Sequence, residues 1–188
     1  MSPIEALLSR RSVAAQYLGE PGPSQVQIEA AIDAALRAPD HGRIQPWRFR
    51  LIRGPARVAF AEKLVEATLR RDVTTPNSQV EKLRRRAQVP LVVAASAALK
   101  TDPKVPEVEQ LLAAGAGVMN LLNAFYVQGF GAVWLTGANV YDPAVSLLLG
   151  LTPTERLLGL IYVGTPTANT PAALARPGRG VFVSEWLG

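Results

Sequence analysis

Residues 111–127 read LLAAGAGVMNLLNAFYV, and how this run is read decides the fold. It is near membrane-spanning length, but Asn120 and Asn123 interrupt it, and Glu107, Glu109 and Gln110 lead into it. A buried core helix fits that polarity better than a lipid-facing span. The helix is expected to be apolar nearly all round and to close at Gly129. In a chain of 188 residues, a helix buried on all sides implies that a second subunit covers part of it.

Working outward, VPLVVAASA (residues 89–97) is a short continuous apolar run, the pattern of a central strand buried on both faces. WRFRLI (47–52) alternates as a strand, and GAVWLTG (131–137) and RLLGLIYVG (156–164) read as two more around a short DPAVSLLLG helix. Ser2-Pro3 before IEALLSRR, and Ser24 before QVQIEAAIDAALRA, are helix starts with a capping serine. Residues 54–73 and 78–88 read as two more solvated helices. The sum is one α+β domain over residues 1–188, a central, mostly antiparallel sheet surrounded by helices. The stretch 165–188, rich in proline and small residues and strand-like at VFVSEW, is expected to be a C-terminal extension packing on a partner subunit.

The bulk composition narrows the chemistry. The chain has no cysteine and one histidine, which removes thiolate ligands and makes a zinc or non-haem iron site a poor expectation. The N-terminal MSPIEALLSRRS lacks the basic and apolar regions of a secretory signal, so the expectation is a cytoplasmic protein without a membrane span. A net charge of +5 invites a nucleic-acid reading, led by Arg84, Arg85 and Arg86. That triplet has no interleaved aromatics and reads as a solvated helix face. An arginine-lined cavity for a phosphorylated ligand would raise the charge equally well.

Three stretches carry candidate chemistry. Arg10, Arg11 and Ser12 fall where the first helix should end. Cations there complement the helix C-terminus, but forked guanidinium donors beside a hydroxyl also suit a phosphate dianion. In RAPDHGRIQPW (37–47), His41 is either a solvated loop residue or, with Arg37 four residues before it, a donor into a cleft. In QGFGAVWLTGAN (128–139) the glycines either make turns or, at Gly137, let backbone approach a flat ligand. Neither a dinucleotide fingerprint nor a P-loop sequence is present, and no catalytic triad can be drawn. Glu107 and Glu109 read as solvated helix residues.

Taken together and in order, these stretches resemble the nitroreductase family of flavin enzymes. The resemblance runs from IEALLSRRSV through LRAPDHGRIQPWRFRLI, KVPEVEQLLAAGAGVMNLL and VQGFGAVWLTGA to LLGLIYVGTP, nearly the whole chain to Pro166. Its Pro-Asp-His step is close to the compact bacterial branch of NAD(P)H nitroreductases. The resemblance implies FMN, NADH or NADPH as co-substrate, and an intertwined homodimer with two shared active sites. It also implies ping-pong hydride transfer to a nitroaromatic, quinone or similar acceptor. Some members of the fold dehalogenate or consume the flavin instead.

By the same resemblance, Arg10, Arg11 and Ser12 would hold the FMN phosphate and ribityl chain. Arg37 and His41 would reach the flavin bound mainly by the other subunit. Trp134, Leu135, Thr136 and Gly137 would back the isoalloxazine ring. The flavin itself carries the hydride chemistry, so no side-chain acid or base is expected. Many relatives have Lys or Arg two residues after the motif serine, near the flavin N1 and O2; here that position is Ala14. Arg37 and Arg43 are candidate substitutes. Arg176 and Arg179 resemble basic residues that finish the phosphate site in larger relatives.

Overall fold

Both predicted capping serines start helices. The computed structural model describes residues 2–102 and 104–188. In α1 (Pro3–Ser9) the Ser2 hydroxyl accepts from the Glu5 N–H while the Glu5 carboxylate accepts from the Ser2 N–H. In α2 (Gln25–Ala35) Ser24 and Gln27 repeat that reciprocal pair, so two otherwise orphaned donors are satisfied at each helix start. The remaining helices are α3 (Ala56–Arg71), α4 (Asn77–Arg85), α5 (Glu107–Val127), α6 (Gly137–Val140) and α7 (Pro143–Leu148).

The strands are β1 (Leu18–Gly19), β2 (Trp47–Arg53), β3 (Leu91–Ala98), β4 (Gly131–Leu135) and β5 (Glu155–Pro166). They form one sheet in the order β1-β5-β3-β2, with β4 also paired to β5. Every ladder between them is antiparallel. Residues 160–163 of β5 pair with β3 and with β4, so this stretch has no free edge.

The apolar run of β3 is buried on both sides because helices cover both faces of the sheet. Leu91, Val93 and Ala95 pack with Ile28 of α2 and Val118, Leu121 and Phe125 of α5. Val92 and Ala94 pack the other way, with Phe60 and Leu64 of α3 and Val145 of α7. The loop entering α5 is held by buried Gln110, whose Nε2 donates to the carbonyls of Lys100 and Val105 while its Oε1 accepts from the Lys100 N–H.

One expectation changes, at the tail. Within one chain helix α5 is covered on one side only. Val118, Leu121 and Phe125 face the sheet, while Leu112, Met119 and Val127 are exposed. The tail does not form a strand at VFVSEW. It makes a short 3-10 turn at Arg179–Val181 and leaves Phe182 and Trp186 exposed, because among the described residues no strand edge pairs with it.

Candidate functional site

Past α1 the chain runs alongside β4. Arg10 closes the helix, its N–H donating to the Ala6 carbonyl, and the Val13 N–H donates to the Ala132 carbonyl at 2.9 Å. Ser12 thereby pairs with Ala132 in a parallel bridge. This fixes Ala14 beside the outer half of β4, where both line one cavity.

That cavity, about 590 Å³, lies between Ala14 and Gln16 on one side, Val133 and Leu135 of β4 below, and Lys82, Arg85 and Arg86 opposite. A second, about 470 Å³, shares Lys82, Arg85, Arg86 and Leu135 and continues to Thr136, Gly137 and Asn139. The two make one cleft over the C-terminal end of β4. Neither cavity has an Asp or Glu in its lining. Gly137 opens the floor: its φ is +66°, and a Cβ there would have no neighbour within 4 Å.

The short helix behind Gly137 is braced from α3. Thr68 and Arg71 donate to Asn139 Oδ1, and Arg71 pairs with Asp142. Burial pushes the Asp142 carboxyl up. The Ala144 N–H and Arg71 outweigh that and hold it below the usual carboxylate range.

The structure sorts the predicted residues. Leu135, Thr136 and Gly137 line the cleft. Trp134 does not, which corrects the expectation for its side chain. Strand alternation turns its indole to the other face of β4, where Nε1 donates to the Leu158 carbonyl at 3.0 Å. Val133 lines the cavity beside Leu135 instead.

Arg10 and Arg11 lie at the other end of the 10–14 segment. Arg10 is near Arg176, and burial, then the Arg176 charge, push the Arg10 guanidinium down from its ordinary value. Arg11 donates to the Pro171 carbonyl and so ties the tail to the motif. Arg37 and His41 are exposed and line neither cavity. His41 Nδ1 instead meets Glu109 Oε2 at 2.5 Å, so Glu109 is a partner and not merely a solvated residue.

The arginine triplet needs the largest correction. Arg84 and Arg85 are both exposed, Arg84 bound by Glu62 and Glu81, while Arg86 is half-buried. Arg85 and Arg86 face the cleft with Lys82. The i, i+3, i+4 spacing of Lys82, Arg85 and Arg86 puts them on one helix face, a signal present in the sequence. What it could not reveal is that this face shares a cavity with β4.

Comparison with known proteins agrees with this arrangement. Residues 7–165 match the family model described as Nitroreductase family. The chain belongs to the nitroreductase family. It is 32% identical over 185 residues, 98% of this chain and 99% of the relative, to an Escherichia coli K12 protein named "Putative NAD(P)H nitroreductase YdjA". The fold of a nitroreductase-like family protein from Bacillus cereus superposes with a TM-score of 0.81 at 22% identity, covering 100% of this chain and 97% of that one. The FMN and NADPH-dependent nitroreductase NfnB of Sphigopyxis sp. strain HMH gives a TM-score of 0.80 at 16% identity, each chain fully covered. In this nitroreductase-family chain the Ala14–Gln16 stretch after the motif, the end of β4 and the cations Lys82, Arg85 and Arg86 line one cleft, whereas Arg10, Arg11 and Ser12 line neither cavity.

Proposed function

We propose that this chain is an NAD(P)H-dependent oxidoreductase that holds FMN in the cleft over β4 and passes reducing equivalents to a nitroaromatic, quinone or similar flat acceptor. The observation that carries the reading is a two-part cavity with cations and no carboxylate in its lining, walled by the Ala14–Gln16 stretch that follows the Arg10–Ser12 motif. The relative named as an NAD(P)H nitroreductase and the fold match to an FMN-dependent enzyme support it.

The residues fit the cofactor. FMN brings a phosphate dianion, and Arg10 with Arg176 gathers two guanidinium groups that disfavour each other unless an anion lies between them. Ser12 would add a hydroxyl. Val133 and Leu135 offer an apolar floor, and Gly137 leaves room for a flat ring to approach the backbone. FMN supplies the two-electron chemistry when bound. The chain's part is to hold that group, exclude water with Val133 and Leu135, and place positive charge around it.

A homodimer completes the site in this reading. His41 is tied to the first turn of α5, while Arg10 lies by Tyr126 in its last turn. A helix of 21 residues separates those ends by about 30 Å at 1.5 Å per residue. Antiparallel pairing of two α5 helices about a two-fold axis brings Arg37 and His41 of one chain toward the Arg10 end of the other. The exposed apolar side chains Ile4 and Leu8 on α1, Leu112 and Met119 on α5, and Trp186 in the tail supply the buried surface.

The test is a flavin spectrum of the purified protein, taken before and after NADH and NADPH and then an added nitroarene. Bound FMN, bleached by a nicotinamide and restored by the acceptor, is expected. A protein that stays colourless with added FMN refutes the reading.

A further inference from the structure

We propose that Arg86 is the cation that takes the place left by Ala14. It presents a fixed positive charge to the pyrimidine edge of the flavin and sets its reduction potential. This rests on the flavin reading above. It goes beyond that reading by assigning the missing charge to the turn that follows α4, Arg86–Gln88, a part of the chain outside the family's N-terminal motif.

Ala14 lines the cavity, so the neutral wall at that position is real and not filled from its own segment. Within one chain Arg37 and Arg43, the sequence-based candidates, line neither cavity, and the dimer proposed above carries Arg37 to the Arg10 end of the partner's site, not to its Ala14. Three cations face Ala14 across the cleft. Lys82 and Arg85 are exposed, on long side chains whose position solvent does not fix. Arg86 is half-buried, and it lines both cavities. Its guanidinium carbon stands 5.7 Å from the centroid of the Tyr162 ring.

Tyr162 is 2% exposed and sits on β5, paired with Val92 of β3 and Val133 of β4. The ring is therefore a rigid platform. Arg86 also hydrogen-bonds to the Tyr162 hydroxyl, which engages part of its five-donor fork and leaves the rest for another acceptor. Among the described residues no carboxylate pairs with Arg86, whereas Arg84 has Glu62 and Glu81. Arg86 thus meets the requirements for electrostatic stabilisation: it is pre-positioned, it is not neutralised, and it faces a partly enclosed apolar floor. Reduction builds negative charge at the flavin N1 and O2. A cation fixed there favours the reduced form over the oxidised one.

The experiment is a potentiometric titration of FMN-loaded protein without oxygen, on wild type, Arg86→Gln, Arg84→Gln and Arg86→Lys. Arg86→Gln is expected to weaken binding of reduced relative to oxidised FMN by tenfold or more, which lowers the two-electron potential by about 30 mV or more. Arg84→Gln should leave the potential at the wild-type value, and Arg86→Lys should keep most of it. In Arg86→Gln protein, adding Ala14→Lys should raise the potential again. An unmoved potential in Arg86→Gln, or an equal fall in Arg84→Gln, overturns the assignment. Arg86→Leu, which keeps bulk over Tyr162, serves for the same measurement should the glutamine variant not fold. Wild-type protein that takes up no FMN refutes the cofactor reading itself. Uptake with an unmoved potential refutes only the role of Arg86.

Discussion

His41 Nδ1 lies 2.5 Å from Glu109 Oε2, joining the loop before β2 to the first turn of α5 across 68 residues of sequence. The side chains keep 59% and 42% of their surface exposed, so the pair contributes little to stability, about 1 kcal/mol at most. Its effect is to orient the imidazole.

Glu109→Gln should accordingly leave the melting temperature nearly unchanged. It should change turnover with NADH in the same direction as His41→Ala, and the double variant should be no worse than His41→Ala alone. Such non-additivity is what residues acting through one another produce. Additive losses in kcat/KM would mean that Glu109 acts independently of His41.

Arg10 and Arg176 make the second case. Arg10→Ala should weaken FMN binding by about 1.5–3 kcal/mol, the range for a hydrogen bond to a charged group. Riboflavin, which has no phosphate, should bind the variant as it binds wild type. Titration of both ligands by flavin fluorescence separates the outcomes. Equal losses for FMN and riboflavin would show that Arg10 supports the fold and not the phosphate.

The elements were legible because their signals are local. Ser2 with Glu5, and Ser24 with Gln27, declare two helix starts within four residues of sequence, and the two-sided burial of β3 follows from its unbroken apolar run. The site was legible only in part. Alternation along β4 places Val133 and Leu135 on one face and Trp134 on the other, yet which face meets the cleft depends on where α4 and α5 pack. The same is true of the basic triplet, whose helical spacing is visible but whose neighbour is not. His41 and Glu109 meet only through the tertiary fold. At VFVSEW the residues suit a strand, but a strand also needs an edge to pair with, and one chain provides none there.

Gly159 shows how closely β4 is held. A Cβ at this position would lie 2.0 Å from Trp134 Nε1 and 2.9 Å from the Leu135 carbonyl oxygen. Gly159→Ala must push the indole out or separate β4 from β5, a cost of about 3 kcal/mol on the scale of overpacked cores. A lower melting temperature together with a red-shifted tryptophan emission is expected, along with weaker FMN retention because Leu135 moves. A variant with wild-type melting and emission would show that this contact relaxes without cost.

Arg50 and Glu155 supply the pH dependence. Arg50 Nη2 is 2.8 Å from Glu155 Oε2 and Nη1 is 3.3 Å from Oε1, with the Thr152 N–H donating to the same carboxylate. Burial pushes the Glu155 carboxyl up, but hydrogen bonds from Arg50 and Thr152 and the Arg50 charge outweigh it and hold it below its ordinary value. A carboxyl lowered on folding stabilises the fold above its unfolded pKa, about 4.3. That contribution is lost as pH falls through the lower folded value. Wild-type melting temperature should therefore hold from neutrality to about pH 5 and fall below it. Arg50→Met removes the main partner that opposes burial, leaving only the Thr152 N–H and the Arg48 charge to lower the carboxyl, so the folded value rises and the stability it contributes above the unfolded pKa shrinks. The variant should lose about 2–3 kcal/mol at neutral pH. This is less than for a fully enclosed pair, because Arg50 keeps 30% of its side chain exposed. The gap to wild type should narrow as acid protonates Glu155. Melting curves of the two proteins that stay parallel between pH 7 and pH 4 would mean that Glu155 does not depend on Arg50 for its charge.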